Sequence, residues 1–256
     1  KGKRKMVKKK VKKRRLKKSI YVFLLIILLI AFSITSYHFI TLFIDYQKSN
    51  NLASDIEEQI DKNVPIEQKE SVTEDNVEDK AIIYTRDFDK LEKINEDTVA
   101  WIEVERTNIN YPVVQTTDNS YYLTHSFDKS RNVNGWIFLN NENNSDFNDQ
   151  NTIIFAHNSL FRALRTLYDG NYGNDIKITI YQRNQVLAYQ VFSVYLADPN
   201  NTKVIEIKLD EEQLQYMISL SKIDFRVDVN ENDSILTLST CYNDSSQRII
   251  VHTKKI

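Results

Sequence analysis

Two kinds of hydrophobic pattern divide the chain. Ile20–Ile44 is an unbroken run of 25 uncharged, mostly apolar residues. As a helix rising about 1.5 Å per residue it measures roughly 37 Å, which exceeds the ~30 Å hydrocarbon core of a bilayer. Beyond about residue 81, apolar and polar residues alternate in short runs, which is typical of half-buried β-strands. The pattern predicts one membrane-spanning helix followed by a mainly β domain.

Eight strand-like runs lie in the region after residue 81, separated by turns rich in Asn and Asp. They are Thr98–Val104, Tyr111–Gln115, Gly135–Leu139, Thr152–Phe155, Ile176–Tyr181, Val186–Tyr195, Ser234–Thr240 and Arg248–Thr253. Helical patterns interrupt them at Asp87–Asn95, Ser159–Leu167 and Asp210–Lys222, where Asp210 is a candidate N-cap. Short strands at this spacing predict a β-barrel or sandwich with short helices.

Charge and polarity set the expected boundaries. The first 18 residues hold 13 Lys or Arg and no acidic residue, so the positive-inside rule places this end of the chain in the cytoplasm. The apolar run has no small-residue cleavage site, which indicates an uncleaved anchor rather than a signal peptide. We therefore expect a cytoplasmic basic segment over 1–18, a transmembrane anchor over 19–44, a polar, acid-rich stalk over 45–80 and an exterior domain over 81–256.

The composition excludes several classes of function. Without the 13 N-terminal cations, 21 of the 34 basic residues remain against 35 acidic ones, and an acidic exterior domain does not bind a phosphate backbone. The chain has four glycines, too few and too scattered for a G-x-G-x-x-G motif or a P-loop. One cysteine and scattered histidines lack the usual metal-ligand spacing. We expect no nucleic acid, no cofactor and no metal.

Cys241 is the first candidate for chemistry. It is the single cysteine of the chain and ends the alternating run Ser234–Thr240, so it cannot form an intrachain disulfide. It is either an incidental buried thiol or a free reactive one. A catalytic thiol needs a base or a cationic neighbour. His157 ends the apolar run Thr152–Ala156 and opens a loop, a position that suits such a base.

Arg248 is the third candidate. A link from Tyr242 to Gln247 can close a hairpin, which would make Cys241 and Arg248 lateral neighbours. A guanidinium there can donate to an oxyanion; the alternative is a surface arginine beside a turn. His252 lies four strand residues further, about 13 Å away, and His125 sits among aromatic residues, so neither is expected at the same point.

The run Thr237–Cys241 followed by Arg248, with a histidine after an upstream apolar strand, resembles the sortases, the cysteine transpeptidases of Gram-positive cell surfaces. Five further stretches resemble class B: Thr98–Trp101, Thr107–Gln115, Asp118–Leu123, Asn151–Asn158 and the insert Asp210–Lys222. The resemblance covers about residues 81–256. It implies an eight-stranded sortase barrel with His157, Cys241 and Arg248 as the active site. It also implies substrate-binding roles for Asn119, Leu123, Val204, Ile205, Ser239 and Thr240.

The reaction implied by the resemblance joins secreted proteins, cut at a C-terminal sorting signal through a Cys241 thioester, to an amine of peptidoglycan or lipid II. The catalytic domain would face the cell wall from a single-pass anchor in the cell membrane. Two alternatives stay open: a pilin-polymerising sortase and a non-catalytic anchored binding module. The chain departs from the family in having Ala156 where glycine is usual before the histidine, and in a short link between Cys241 and Arg248.

Overall fold

The chain forms a long helix, a two-stranded sheet and a closed eight-stranded barrel in the computed structural model, which describes residues 18–69, 80–242 and 246–256. The N-terminal elements are helix α1 (Lys18–Gln59) and the antiparallel strands β1 (Val64–Lys69) and β2 (Lys80–Thr85). The barrel strands are β3 (Thr98–Val104), β4 (Asn110–Val114), β5 (Phe138–Leu139), β6 (Asn151–Ala156), β7 (Lys177–Tyr181), β8 (Val186–Ala197), β9 (Ile235–Tyr242) and β10 (Gln247–Lys255). Helices α2 (Phe88–Ile94), α3 (Ala163–Tyr168) and α4 (Glu211–Leu220) lie before and between them. The barrel confirms the predicted fold class.

The chain divides after Ile44 into two compact units. In the first unit, α1 is long and apolar enough to cross a membrane, and its large apolar side chains from Ile20 to Ile44 are exposed, as a lipid-facing helix requires. This helix is consistent with the predicted anchor. The basic segment expected over 1–18 lies outside the described residues except for Lys18, as do residues 243–245 of the predicted hairpin turn.

The second unit begins at Asp45 and includes the last turns of α1. Small and apolar residues of this stretch, spaced three to four apart, are buried in the domain core; they are Ser49, Ala53, Ile56 and Ile60. The Asn132 amide donates to the Ser49 hydroxyl at 3.1 Å. A narrow apolar stripe within the polar stretch expected to be a stalk thus packs the end of α1 against the domain core.

The barrel closes in the order β10-β8-β7-β3-β4-β5-β6-β9. Strands β6 and β9 are parallel, and β10 is antiparallel to β9. The register pairs Ala156 with Thr240, and Cys241 with Arg248. The carboxyl ends of β6 and β9 therefore meet the start of β10 at one rim of the barrel.

Strand β9 separates two apolar clusters. Leu236 and Leu238 pack in the barrel interior, whereas Ile235 packs outside it with α4. Alternate residues of a strand point to opposite faces, so one strand contributes to both clusters. Asp210 caps α4 as predicted: its carboxylate accepts from the Gln213 backbone and the Gln213 side chain accepts in return, both at 2.8 Å. Helix α4 and the outer cluster thus cover the outer face of β8 and the adjoining parts of β9 and β10.

Candidate active site

The three residues predicted to carry the chemistry lie at one level of the barrel rim. His157 follows β6 directly, and because Ala156 pairs with Thr240 in parallel strands, the next positions along the two strands are His157 and Cys241. Arg248 is paired with Cys241 from the other side. Neighbouring strands are about 4.8 Å apart. The topology therefore brings together three positions that are up to 91 residues apart in the sequence.

A cavity of about 300 Å³ opens beside this row. Four polar residues and five apolar residues line it: Asn119, Leu123, Phe138, Phe155, Ala156, His157, Ile205, Ser239 and Arg248. The Phe138 and Phe155 rings are 5.5 Å apart and tilted, which gives the cavity a rigid aromatic wall. Apolar walls with a few convergent polar groups are typical of ligand-binding pockets.

His157 has a defined ring orientation. Its Nε2 atom lies 2.9 Å from the carbonyl oxygen of Leu123. A carbonyl only accepts, so Nε2 carries the hydrogen and Nδ1 of the neutral ring keeps its lone pair. Leu123 ends the short 3₁₀ turn Tyr121–Leu123. The histidine is thus held so that one nitrogen is free to exchange a proton.

Asp118 holds the turn that presents the Leu123 carbonyl. Its carboxylate accepts from the hydroxyl and backbone N–H of Ser120 and from the N–H of Tyr121, at 2.5 to 2.8 Å. These hydrogen bonds, that of the Ser120 hydroxyl first, lower the pKa of Asp118. The turn therefore keeps its carboxylate anchor well below neutral pH.

Two polar groups at the cavity have no partner within the part of the chain that the structure describes. The Ser239 hydroxyl and the Arg248 Nε atom are buried, and neither makes a hydrogen bond there. Buried polar groups in native proteins are almost always paired, so exceptions need an explanation. Both residues line the same cavity.

Asn119 and Ile205 close the cavity from loops. The Asn119 amide is held by the turn that follows β5, donating to the Asn140 side chain at 2.8 Å and accepting from the Asn141 N–H at 2.9 Å. Ile205 ends the 3₁₀ turn Thr202–Ile205. Both residues line the cavity, as do the predicted substrate-binding residues Leu123 and Ser239.

Two residues with expected substrate-binding roles lie away from the cavity. Val204 is 1% exposed and packs in the outer apolar cluster. Thr240 is also 1% exposed and lies on the face of β9 opposite Ser239. Strand alternation separates Ser239 from Thr240, and the roles expected of Val204 and Thr240 stay predictions.

The other two histidines of the barrel domain have structural partners. His252 is fully buried between the hydroxyls of Tyr195 and Thr237, each 2.8 Å from a ring nitrogen. His125 stacks on Tyr121 with ring centroids 4.1 Å apart. Their positions agree with the expectation that neither lies at the rim.

Three lining residues were not anticipated from the sequence: Phe138, Phe155 and Ala156. Phe155 could have been identified from the sequence, because it lies two residues before His157 and strand alternation puts both on the same face. Ala156 has no left-handed backbone conformation, so this site does not require the glycine usual in the family.

The comparisons with known proteins agree with this geometry. A family model described as Sortase domain matches residues 102–256. Sortase B of Staphylococcus aureus is 30% identical over 189 residues, which cover 66% of this chain and 74% of that protein. A crystal structure of a sortase B complexed with triglycine is 31% identical with a TM-score of 0.59, covering 66% of this chain and 85% of that one. A Streptococcus pyogenes class B sortase involved in pilus biogenesis is 26% identical with a TM-score of 0.61, covering 66% and 97%.

Proposed function

The chain belongs to the sortase family and is a sortase transpeptidase, and from that premise we propose that it cleaves the C-terminal sorting signal of secreted proteins and transfers them to a peptidoglycan amine. Its relatives are class B sortases. The observation that carries the proposal is the pair of unpartnered donors, Ser239 Oγ and Arg248 Nε, at a cavity beside His157 and the strand position of Cys241.

The first half of the reaction forms a thioester. The Cys241 thiolate attacks the carbonyl carbon of the scissile peptide bond, and the carbonyl electrons move to oxygen. Arg248 lies beside Cys241 in the strand register and donates to this oxyanion. His157, which has taken the proton of the Cys241 thiol on Nδ1, gives that proton to the leaving amine, the C–N bond breaks and the acyl group stays on sulfur.

The second half resolves the thioester. An incoming amine attacks the thioester carbon, His157 takes a proton from the amine, and the C–S bond breaks to release the thiolate. The hydrogen bond from Nε2 to the Leu123 carbonyl leaves Nδ1 as the nitrogen for both proton transfers. One oriented imidazole thus serves as acid and then as base.

We propose that Asn119, Leu123, Ile205 and Ser239 bind the sorting signal, because all four line the cavity. One similar structure is a sortase B complexed with triglycine, and this supports a glycine-type amine of peptidoglycan as the acceptor. A structural neighbour involved in pilus biogenesis supports one alternative acceptor, the lysine amine of a pilin. In this proposal α1 anchors the chain in the cell membrane with a cytoplasmic N-terminus and an exterior catalytic domain.

Cleavage of quenched fluorescent peptides by the full-length chain in detergent tests the proposal. The peptides carry NPQTN-like, LPXTG-like and (S/N/P)PXTG-like signals, and mass spectrometry follows the thioester. We expect one signal to be cleaved and cleavage to disappear in Cys241→Ala. Addition of triglycine or of a lysine peptide then identifies the acceptor class. Absence of cleavage together with an unreactive Cys241 would instead favour an anchored binding module.

Arg248 has a matched control on the surface. Arg248→Gln removes the oxyanion donor and should lower kcat by about 10² to 10³. Arg226→Gln changes an exposed arginine that does not line the cavity and should leave kcat unchanged. Equal activity of the two variants would contradict the role of Arg248.

A further inference from the structure

The segment 202–209, which contributes Ile205 to the cavity wall, is attached to the barrel through two consecutive side-chain amides. Ile205 lines the cavity from this segment. Gln150 and Asn151, at the start of β6, hydrogen-bond to residues 206–209. The segment has one short 3₁₀ turn, so its position depends on these hydrogen bonds together with the packing of the buried Val204 and Leu209 side chains.

Gln150 holds the end of the segment. Its Nε2 donates to the Leu209 carbonyl at 2.6 Å, and its Oε1 accepts from the Leu209 N–H at 2.8 Å. The same Nε2 donates to the Glu231 carbonyl at 2.7 Å. One amide therefore satisfies both backbone groups of Leu209 and ties the segment to the loop that precedes β9.

Asn151 holds the residues next to Ile205. Its Nδ2 donates to the Glu206 carbonyl at 2.7 Å, and its backbone N–H donates to the Ile207 carbonyl at 3.0 Å. Asn151 is fully buried. A buried donor that loses its partner costs free energy, so this contact restrains the segment one residue away from the cavity wall.

A polarised chain of hydrogen bonds supports Asn151 from behind. The Glu206 carbonyl only accepts, so Nδ2 faces it and Oδ1 faces Thr237. The Thr237 hydroxyl donates to Oδ1 at 2.7 Å and therefore accepts from His252 Nδ1 at 2.8 Å. The remaining nitrogen, Nε2, accepts from the Tyr195 hydroxyl at 2.8 Å. Only one set of hydrogen directions satisfies the whole chain, so the Asn151 amide has one orientation.

The hydrogen-bond chain from Asn151 to Tyr195 lies on the same face of the barrel wall as Ser239 and Arg248. Thr237 lies two residues before Ser239 on β9, and His252 lies four residues after Arg248 on β10. Thr237 and His252 are direct partners in the strand register. The hydrogen-bond chain therefore crosses β6, β9 and β10, the three strands of the active site, further from the rim, and ends at Tyr195 on β8.

We propose that the side-chain amides of Gln150 and Asn151 are positioning groups that fix Ile205 against the cavity and so set the affinity for the sorting peptide. This inference rests on the proposed function. The amides are not expected to contact the reacting atoms. Their loss should weaken peptide binding while the chemistry at Cys241 is retained.

Asn151→Asp is the main test, in the full-length chain in detergent with a cleavable sorting peptide. The substitution keeps the size of the side chain and its acceptor oxygen but removes the donor to the Glu206 carbonyl. We expect KM to rise by about tenfold, the effect of losing one buried hydrogen bond, with kcat within twofold. The rate of Cys241 alkylation by iodoacetamide should be unchanged.

Asn132→Asp is the matched control. Asn132 is also a buried amide, 2% exposed, but its donors hold the last turns of α1 rather than the cavity wall. It should leave KM unchanged.

In an Ile205→Ala background, Asn151→Asp should no longer raise KM, because the positioned group is absent. A purely structural role of Asn151 would not produce this dependence on Ile205.

The possible results distinguish a failure of the proposed function from a failure of this inference alone. A wild-type chain that cleaves no sorting peptide overturns the proposed function and this inference with it. A cleaving wild type whose Asn151→Asp variant keeps its KM, or loses kcat instead, overturns the inference alone. Should Asn151→Asp not fold, Gln150→Glu decides by the same KM criterion, because Gln150 is only half-buried.

Discussion

His252 is a fully buried histidine of β10, and its neutral state links the stability of the barrel to pH. Its ring lies between the Tyr195 and Thr237 hydroxyls and stacks on Phe192 with centroids 5.9 Å apart. Burial lowers the pKa of His252 from 6.5 to about 3. Below pH 6.5 the unfolded chain therefore binds a proton that the folded chain does not.

The sign and size of the effect follow from proton linkage. Because the folded pKa is lower than the unfolded one, the stability is complete above about pH 7 and falls as the pH drops from 6.5 towards 3. At pH 5 the unfolded histidine is almost fully protonated, which lowers the free energy of unfolding by about 2 kcal/mol relative to pH 7.5. Any folded pKa below about 4 gives the same value.

Urea denaturation of the unit Asp45–Ile256 measures this loss. The unit contains the whole buried core. Wild type and His252→Gln are compared at pH 7.5, 6.5 and 5.0. The variant should be less stable at pH 7.5, because it loses ring packing, but its stability should fall by about 2 kcal/mol less on going to pH 5.

The comparison between the two proteins removes the contribution of the carboxylates, which are common to both. Hydrogen bonding lowers the pKa of Asp118, for example, in wild type and variant alike. If wild type and His252→Gln lose stability in parallel between pH 7.5 and 5, the assignment of a neutral buried histidine is refuted.

Three further predictions concern packing and the cavity. Ile56→Ala should lower the free energy of unfolding by about 2 to 4 kcal/mol, because Ile56 is only 2% exposed and packs in the core cluster. A change below about 0.5 kcal/mol in urea titrations would show that this end of α1 does not pack against the domain. Ser239→Ala should raise KM for the sorting peptide. Thr240→Val replaces a hydroxyl on the opposite face of β9 that has no partner among the described residues, so the kinetics should be unchanged and the stability equal or higher. An equal change in KM for both variants would contradict the assignment of Ser239 and Thr240 to opposite faces. Ala156→Gly should cost about 0.5 to 1 kcal/mol and preserve cleavage, and loss of activity would refute the argument from its strand conformation.

Local pattern predicted most of the secondary structure, because a strand or helix is determined by residues close in sequence. Thr98–Val104 was predicted with its observed bounds, and Asp210 was recognised as the cap of α4. The packing of the helix end over residues 45–59 against the domain core and the pair β1–β2 were not predicted. Their sequences are polar, and what stabilises the helix end is contact with a barrel that no local pattern describes.

The candidate residues of the site could be identified from residue type. A single cysteine at a strand end, a histidine after an apolar strand and an arginine beyond a short link are visible in the sequence. Their convergence depends on β6 lying parallel and adjacent to β9. That pairing joins segments about 80 residues apart, and its register cannot be read from either segment alone.

By itself the sequence determined one apolar span, a mainly β domain and the residue types available for chemistry, since these follow from periodicity, charge and composition. Only the tertiary structure decided that Ser239 faces the cavity while Thr240 does not, that the Ser239 Oγ and Arg248 Nε atoms have no hydrogen-bond partner among the described residues, and that Asn151 donates to the Glu206 carbonyl beside Ile205. The physical reason is that strand register and loop attachment are set by hydrogen bonds between distant residues, which compete across the whole fold.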